Sequence, residues 1–191
     1  MHIHVDATGV FCERALPLLL LSMLLFQGCA TAGMGASGSA SGDYLSFSVG
    51  EGVTQYFIRP LEFDGGGEEG EIDFTFRDGK GDVDIDTVTA NFTIRSTTIR
   101  KSLDSLHIVT DSSDVTSLRV ITLFTEAKGD IIQSRYSAKL LRSAFFKLFH
   151  HPKWKITAYS PSGSVSYKTP ASSQRTVANL YRDLVRIAEG P

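Results

Sequence analysis

Few residues of this chain have types and spacings that could do chemistry. Asp82, Asp84 and Asp86 alternate with Val83 and Ile85, and hard cations take several carboxylate oxygens at close quarters. An EF-hand loop opening at Asp82 needs glycine at its sixth position and glutamate at its twelfth; Thr87 and Thr93 stand there. On a strand the three aspartates share one face while Val83 and Ile85 turn to the core. A solvated strand face is therefore the expectation, and a metal site at Asp82, Asp84 and Asp86 the weaker alternative. Glu68, Glu69 and Glu71 could add oxygen ligands, but the run Asp64 to Glu71 reads by composition as a mobile acidic loop.

The histidines are equally sparing. His107 falls on an alternating stretch, opposite Leu106 and Ile108, and His150–His151 fall at the end of a helical pattern. Adjacent helical positions face different ways and make a poor metal clamp, whereas imidazolium at a helix C-terminus is favoured by the helix dipole. A hydrolase or metal site could join His107, His150 or His151 to an aspartate in space, but no spacing selects a serine partner. Zincin, P-loop and dinucleotide patterns are absent. In the Gly/Ser-rich run no serine has glycines at both offsets of a nucleophile elbow. Neither a catalytic residue nor a cofactor is expected.

One stretch carries a resemblance. Ala15 to Phe26 is an apolar run of signal-peptide length. As a helix it would extend roughly 18 Å, short of the roughly 30 Å of membrane hydrocarbon. It leads into Leu24-Leu25-Phe26-Gln27-Gly28-Cys29. That segment resembles the lipobox of bacterial lipoprotein precursors, in which a small residue precedes a cysteine that becomes the lipid-bearing N-terminus. Gly28 and Cys29 fit the pattern. Phe26 and Gln27 depart from it, and Asp6 and Glu13 offset Arg14 in the leader. The resemblance implies a signal peptide over 1–28, lipidation of Cys29, attachment to a membrane of the bacterial envelope, and a partner among other envelope proteins. An ordinary secretory cut after Ala30-Thr31-Ala32 is the competing outcome. The Gly/Ala/Ser-rich segment up to Asp43 reads as a tether reaching roughly 20 Å.

Composition narrows the rest. The chain has 191 residues, 19 basic and 21 acidic, with a formal charge of −2. Nothing in that balance gives the basic footprint of a nucleic-acid binder, and a 42% hydrophobic content suits a globular body. The cysteines are Cys12 and Cys29, so residues 44–191 must rely on their core, without disulfide or thiolate.

That body reads as a series of strands. Leu45, Phe47 and Val49 alternate with serines; Val53 to Arg59 is β-rich and is interrupted by Pro60; Ile72, Phe74 and Phe76 alternate with polar residues, as do Val88, Ala90, Phe92 and Ile94. Leu106 to Thr110, Leu118 to Thr125 and Ile131 to Tyr136 follow, with Lys128-Gly129-Asp130 as a hairpin loop. From Ser137, read as an N-cap, Leu141, Ala144, Phe145 and Leu148 fit one helix face. Phe146 lies apart, toward Lys139, Arg142, Ser143 and Lys147, and could touch a partner or a headgroup surface; a helix covered on two sides by sheet and hairpin is the alternative. Trp154, Ile156 and Ala158 begin a last hairpin, and Val177, Leu180, Leu184 and Ile187 stripe a last helix capped by Ser172 or Ser173.

The expected fold is α+β, mainly an antiparallel sheet or sandwich with two helices in the C-terminal half. The expected organisation is a signal peptide over 1–28, a lipidated cysteine and tether over 29–43, and one folded domain over 44–191. A noncatalytic binding domain is the reading of its role. The alternatives are an envelope hydrolase or metal-dependent enzyme, and a carrier holding an apolar ligand between sheet and helices.

Overall fold

The architecture comes from a computed structural model, which describes residues 38–40, 42–50, 52–79 and 86–189, with backbone alone at 38–40 and 186–189. All of these lie in one compact unit, Ser37–Pro191. Cys29, the apolar run before it, Asp82 and Asp84 lie outside the described residues.

The strands are β1 (Gly38–Ala40), β2 (Tyr44–Gly50), β3 (Val53–Gly65), β4 (Glu68–Asp78), β5 (Thr87–Ser96), β6 (Ser105–Val109), β7 (Asp114–Thr116), β8 (Val120–Lys128) and β9 (Ile131–Leu141). Helix α1 (Arg142–Leu148) follows, then β10 (Lys155–Ser160), β11 (Gly163–Lys168) and helix α2 (Ala171–Glu189). The strands form one antiparallel sheet in the order β7-β6-β10-β11-β3-β4-β5-β9-β8, with β2 also on β3 and β1 on β2. The sheet is curled into a half-barrel. Its two end strands are consecutive in sequence. Residues 117–119 join β7 to β8, and four Cα–Cα steps reach at most about 14 Å, so the far edges must curl toward each other. Ser117 N–H donates to Leu106 O on one side of the gap, and Leu118 N–H donates to Lys139 O on the other.

Alternation decides what the inner face carries. Ile72, Phe74, Phe76, Val88, Ala90, Phe92, Ile94, Tyr136, Ala138 and Leu140 are all buried, as period-2 reading of these strands requires. Over them sit Phe145, Leu148 and Phe149 from α1 and its end, and Trp154 beyond it. The rings of Phe74, Phe145, Phe149 and Trp154 pack edge-on or tilted at 4.9–6.4 Å between centroids. Each such pair contributes about 0.5–1.5 kcal/mol beyond its burial. The indole Nε1–H of Trp154 donates to Leu148 O and His151 O, so the turn after α1 is tied to the core.

Helix α2 closes the gap between β3 and β11, which meet only at Asp64↔Lys168. Val177, Leu180 and Leu184 are buried there. Ser173 accepts from Glu62 N–H at 3.1 Å and donates to Glu62 O at 2.9 Å, satisfying a stretch of β3 edge beyond the end of β2. A buried backbone pair without such a partner would cost about 1–3 kcal/mol.

Several expectations need correction. The single curled sheet replaces the sandwich option. The run Asp64 to Glu71 is not a mobile loop. Gly65 pairs with Glu68 around a two-residue turn, and Asp64, Phe63 and Glu62 pair with Glu69, Gly70 and Glu71. Gly66 and Gly67 adopt φ of 61° and 77°, the left-handed pair that a type I′ hairpin turn demands; charge hid a strand whose turn glycines were in plain view. Strand β9 runs through Ser137 to Leu141, so α1 starts only at Arg142, and Leu141 is exposed. Tertiary pairing with β5 from Thr87 to Ser96 outweighed the local helical period. Ser173 lies inside α2 and serves β3, so it caps nothing. On β2 the faces are reversed: Ser46 is buried, while Phe47 and Val49 stay exposed. Of the two outcomes expected at Pro60, an edge strand or a bend, the bend is found: the β3–β4 register shifts between Ile58 and Leu61.

Candidate functional site

The most elaborate polar constellation lies on the inner face, at the mouth of the β3–β4 hairpin. Glu68 opens β4 directly after the glycine turn, and β11 crosses close beside it. A Cβ on Gly65 would lie 2.0 Å from Ser166 O, and one on Gly70 would lie 3.2 Å from both Phe92 and Tyr167 ring atoms. Only glycine admits this approach, which lets Tyr167 reach the carboxylate. Its hydroxyl donates to Glu68 Oε2 at 2.6 Å. The other oxygen, Oε1, accepts from Arg100 Nη2 at 2.6 Å and from Ser96 Oγ at 3.0 Å. Arg100 belongs to the loop 97–104, whose backbone is pinned in turn. Tyr136 Oη donates to Arg100 O, Thr122 Oγ1 donates to Lys101 O, and Asp104 N–H donates to Tyr159 O.

The electrostatics follow from this enclosure. Burial pushes the Glu68 carboxyl up, but the hydrogen bonds from Arg100, Tyr167 and Ser96 outweigh it and hold the group below its ordinary value. Its hydrogen bond to Glu68 raises Arg100 further, against a smaller burial penalty. Tyr167 is driven far above its ordinary value, by burial first and by the adjacent carboxylate second. Tyr136 is raised by burial. At neutral pH the cluster is therefore a charged pair between two neutral phenols. One atom is unserved: Arg100 Nε is buried and has no hydrogen-bond partner. A shallow cleft of about 320 Å³ lined by Ile99, Arg100, Lys101, Ser102, Pro161 and Ser162 adjoins the loop. Chemically the arrangement is a lock, because Arg100 Nη2, Tyr167 Oη and Ser96 Oγ are spent on the Glu68 carboxylate and so hold the loop and β11 to the sheet.

The other face of β4, β5 and β9 carries a second polar array, partly enclosed around the buried Thr93. Arg135 donates to Asp73 Oδ2 and to Thr93 Oγ1, Asn91 Nδ2 donates to Asp73 Oδ1, and Arg95 pairs with Glu71. These are cross-strand contacts of the kind that fix register.

The residues singled out from sequence are dispersed. Asp86 is exposed, and its carbonyl accepts from Arg142 N–H at 2.8 Å. Among the described residues no group of three or more His, Cys, Asp or Glu could hold a metal ion. His150 meets the edge of the Tyr181 ring at 5.2 Å, and His151 gives its carbonyl to Trp154. Both lie beyond the last residue of α1. His107 is different: its Nε2 meets Asp114 Oδ1, and it stands in register with Thr157, whose hydroxyl bonds Ser166 Oγ at 3.0 Å. A histidine, a carboxylate and two hydroxyls thus share one face of β7, β6, β10 and β11. The clefts described here are lined by other residues.

Phe146 is half-buried against Phe76 and Phe145, with the Arg142 guanidinium 5.2 Å above its ring. The same guanidinium bonds Asp78 Oδ1 and Arg77 O, fastening α1 to the end of β4. Phe146, Arg142, Ser143, Leu141 and Asp86 line a shallow cleft of about 510 Å³. Sequence reasoning singled out Phe146 and its basic neighbours here; it named Glu68 only as a ligand on a loop and missed its pairing with Arg100. Glu68 and Arg100 are 32 positions apart, and no periodicity links them.

Among the described residues no helix is long and apolar enough to cross a membrane. No protein-family model matches the chain, and neither a curated protein nor a solved structure matches it.

Proposed function

We propose that this chain is a lipid-anchored protein of the bacterial envelope whose β-rich body acts as a noncatalytic binding module for another envelope protein or a small ligand. The observation that carries the reading is the run ending Leu25-Phe26-Gln27-Gly28-Cys29, followed by a Gly/Ala/Ser-rich segment suited to a tether. Dual or triple acyl chains on such a cysteine would hold the body at a membrane surface, since stable anchoring takes more than one chain. The exposed apolar side chains Ile121, Leu123 and Phe124 on β8, and Phe47 and Phe57 on the outer side of β2 and β3, support a body that meets partners. The test is metabolic labelling with palmitate in a bacterial host, beside fractionation. The wild-type chain is expected to take label and sediment with membranes, and Cys29→Ala to lose both. Equal membrane association of an unlabelled wild type and Cys29→Ala overturns the anchor.

A hydrolytic reading retains one observation, the His107–Asp114 contact in line with Thr157. Esterase or peptidase activity of the purified chain on generic substrates, abolished by His107→Ala, would replace the noncatalytic reading.

A further inference from the structure

Strand β8 ends the sheet, and eight of its nine residues pair, on one side only, with β9. Long open edges are templates for another strand, and proteins blunt them with charges, bulges or short length. The opposite edge, β7, has three residues. On β8 almost everything is exposed, including Ile121 at 45%, Leu123 at 49% and Phe124 at 39%. We propose that β8 is a self-pairing edge, on which a second copy of this chain continues the sheet through its own β8, antiparallel and in one register.

The register follows from three constraints. The first is backbone direction. Leu118 N–H bonds Lys139 O and Lys139 N–H bonds Arg119 O, so Lys139 and every second residue of β9 before it bond toward β8. Their partners are Ile121, Phe124, Glu126 and Lys128. Val120, Thr122, Thr125 and Ala127 therefore turn their N–H and C=O groups to the open edge. The second is facing. Residues opposed in an antiparallel pair share a face. Ile121, Phe124 and Glu126 oppose Ser137, Arg135 and Gln133 on the outer face, while Val120, Thr122 and Ala127 oppose the core-facing Ala138, Tyr136 and Ile132. Leu123 is the extra residue at the register shift, so the outer-facing positions are odd before it and even after it. A two-fold pairing of the first half with the second keeps faces matched only if odd positions meet even ones.

The third constraint is charge. Setting Ile121 opposite the second copy's Phe124 sets Val120 opposite its Thr125, both with backbone groups free for exchange, and sets Arg119 opposite its Glu126. Two-fold symmetry repeats each contact. Slipping the strands by two residues would bring Arg119 opposite Lys128 in one direction, a like-charge encounter, and opposite Phe124 in the other. Glu126 already touches Lys128 at 2.9 Å, but both side chains are largely exposed and that pair is easily exchanged. This proposal needs no lipid on Cys29 and stands or falls apart from the anchor.

The test uses the full chain in mild detergent with Cys12→Ala and Cys29→Ala, combining disulfide trapping with sedimentation. Ile121→Cys with Phe124→Cys is expected to give a covalent dimer under mild oxidation. A pair opposed without hydrogen bonds has Cα atoms about 4.5 Å apart, within disulfide reach, whereas the two positions in one chain are too far apart to bridge. Ile121→Cys with Glu126→Cys is expected to give none above the parent. Arg119→Glu should weaken dimerisation about tenfold, and adding Glu126→Arg should restore it. A parent chain that stays monomeric at about 100 μM, well above the micromolar range of weak specific pairs, overturns the proposal. So does equal trapping in both cysteine pairs, or a charge swap that fails to restore a folded Arg119→Glu chain.

Discussion

Two of the hairpins that turn on two-residue loops, β3–β4 and β8–β9, have an acid paired with a base beside the turn, yet their surroundings are opposite. In the β3–β4 hairpin Glu68 and Arg100 keep only 11% and 14% of their side-chain exposure; in the β8–β9 hairpin Glu126 and Lys128 keep 48% and 60%. The first turn lies under β11, with Gly65 against Ser166, and the loop 97–104 supplies its cation. The second turn has nothing within 4 Å of a Cβ on Gly129. The same local device thus yields a desolvated lock in one place and a free tip in the other. Where water is excluded, every donor to the carboxylate must come from the protein; at the tip, water supplies them.

The largest effect that would sharpen this contrast is expected from Arg100→Ala. It strands the Glu68 carboxylate and should cost about 3–5 kcal/mol in denaturant unfolding. Arg100→Met combined with Glu68→Leu should recover most of that, because a buried pair replaced by apolar groups is often neutral. A loss below about 1 kcal/mol, the level of an exposed pair, would erase the distinction between the hairpins.

Next come the turn glycines. Gly65→Ala forces β3 from Ser166 O and should cost about 2–3 kcal/mol. Gly129→Ala meets open space and bears only its left-handed φ of 64°, about 1 kcal/mol. Equal midpoints for the two variants would break the comparison. Tyr167→Phe removes one of the hydrogen bonds to Glu68 and should cost about 1–2 kcal/mol in the same measurement.

The pH profile is a gentler probe. Because Glu68 is lowered in the folded state, its contribution is complete above the ordinary glutamate value of about 4.3 and is lost as pH falls through the folded value. Glu68→Gln should flatten that acid limb of a thermal-melt series. Tyr56, Tyr136 and Tyr167 are raised, each by burial first. Their contribution is complete below about pH 10 and is lost above it. Phenolate absorbance should therefore show Tyr56, Tyr136 and Tyr167 ionising late. The smallest effect belongs to the exposed tip: Lys128→Ala should change stability by no more than about 0.5 kcal/mol.

How much could be read in advance depended on the range of the interaction involved. Ile72, Phe74, Phe76 and Val88 to Ile94 announced their inward face by period, because the sheet has one dry side along β4 and β5. The stripe Val177, Leu180, Leu184 announced α2 in the same way. Reading failed where a distant partner overrode the local signal. The acids at 68–71 looked solvated because Arg100 and Arg95, which meet Glu68 and Glu71, come from other strands and loops. The helical period after Ser137 was outweighed by ten paired residues of β5. Ser46 is inside and Phe47 outside because the pairing of β2 with β3 sets Phe47 on the outer face, where its ring meets Phe57 edge-on.

By itself the sequence determined the α+β class, most strand positions, the hairpin loop at Lys128-Gly129-Asp130, and the segment around Cys29 on which the proposed anchoring rests. These are local properties of period, backbone freedom and short motif. Only the tertiary structure decided that one sheet curls into a half-barrel, that Glu68 is a buried ion-pair partner, and that His107 alone of the three histidines among the described residues finds a carboxylate. It also decided that β8 is left with an open edge. Those outcomes depend on which distant segments come together, and chain closure over such separations leaves no periodic mark on the residues between.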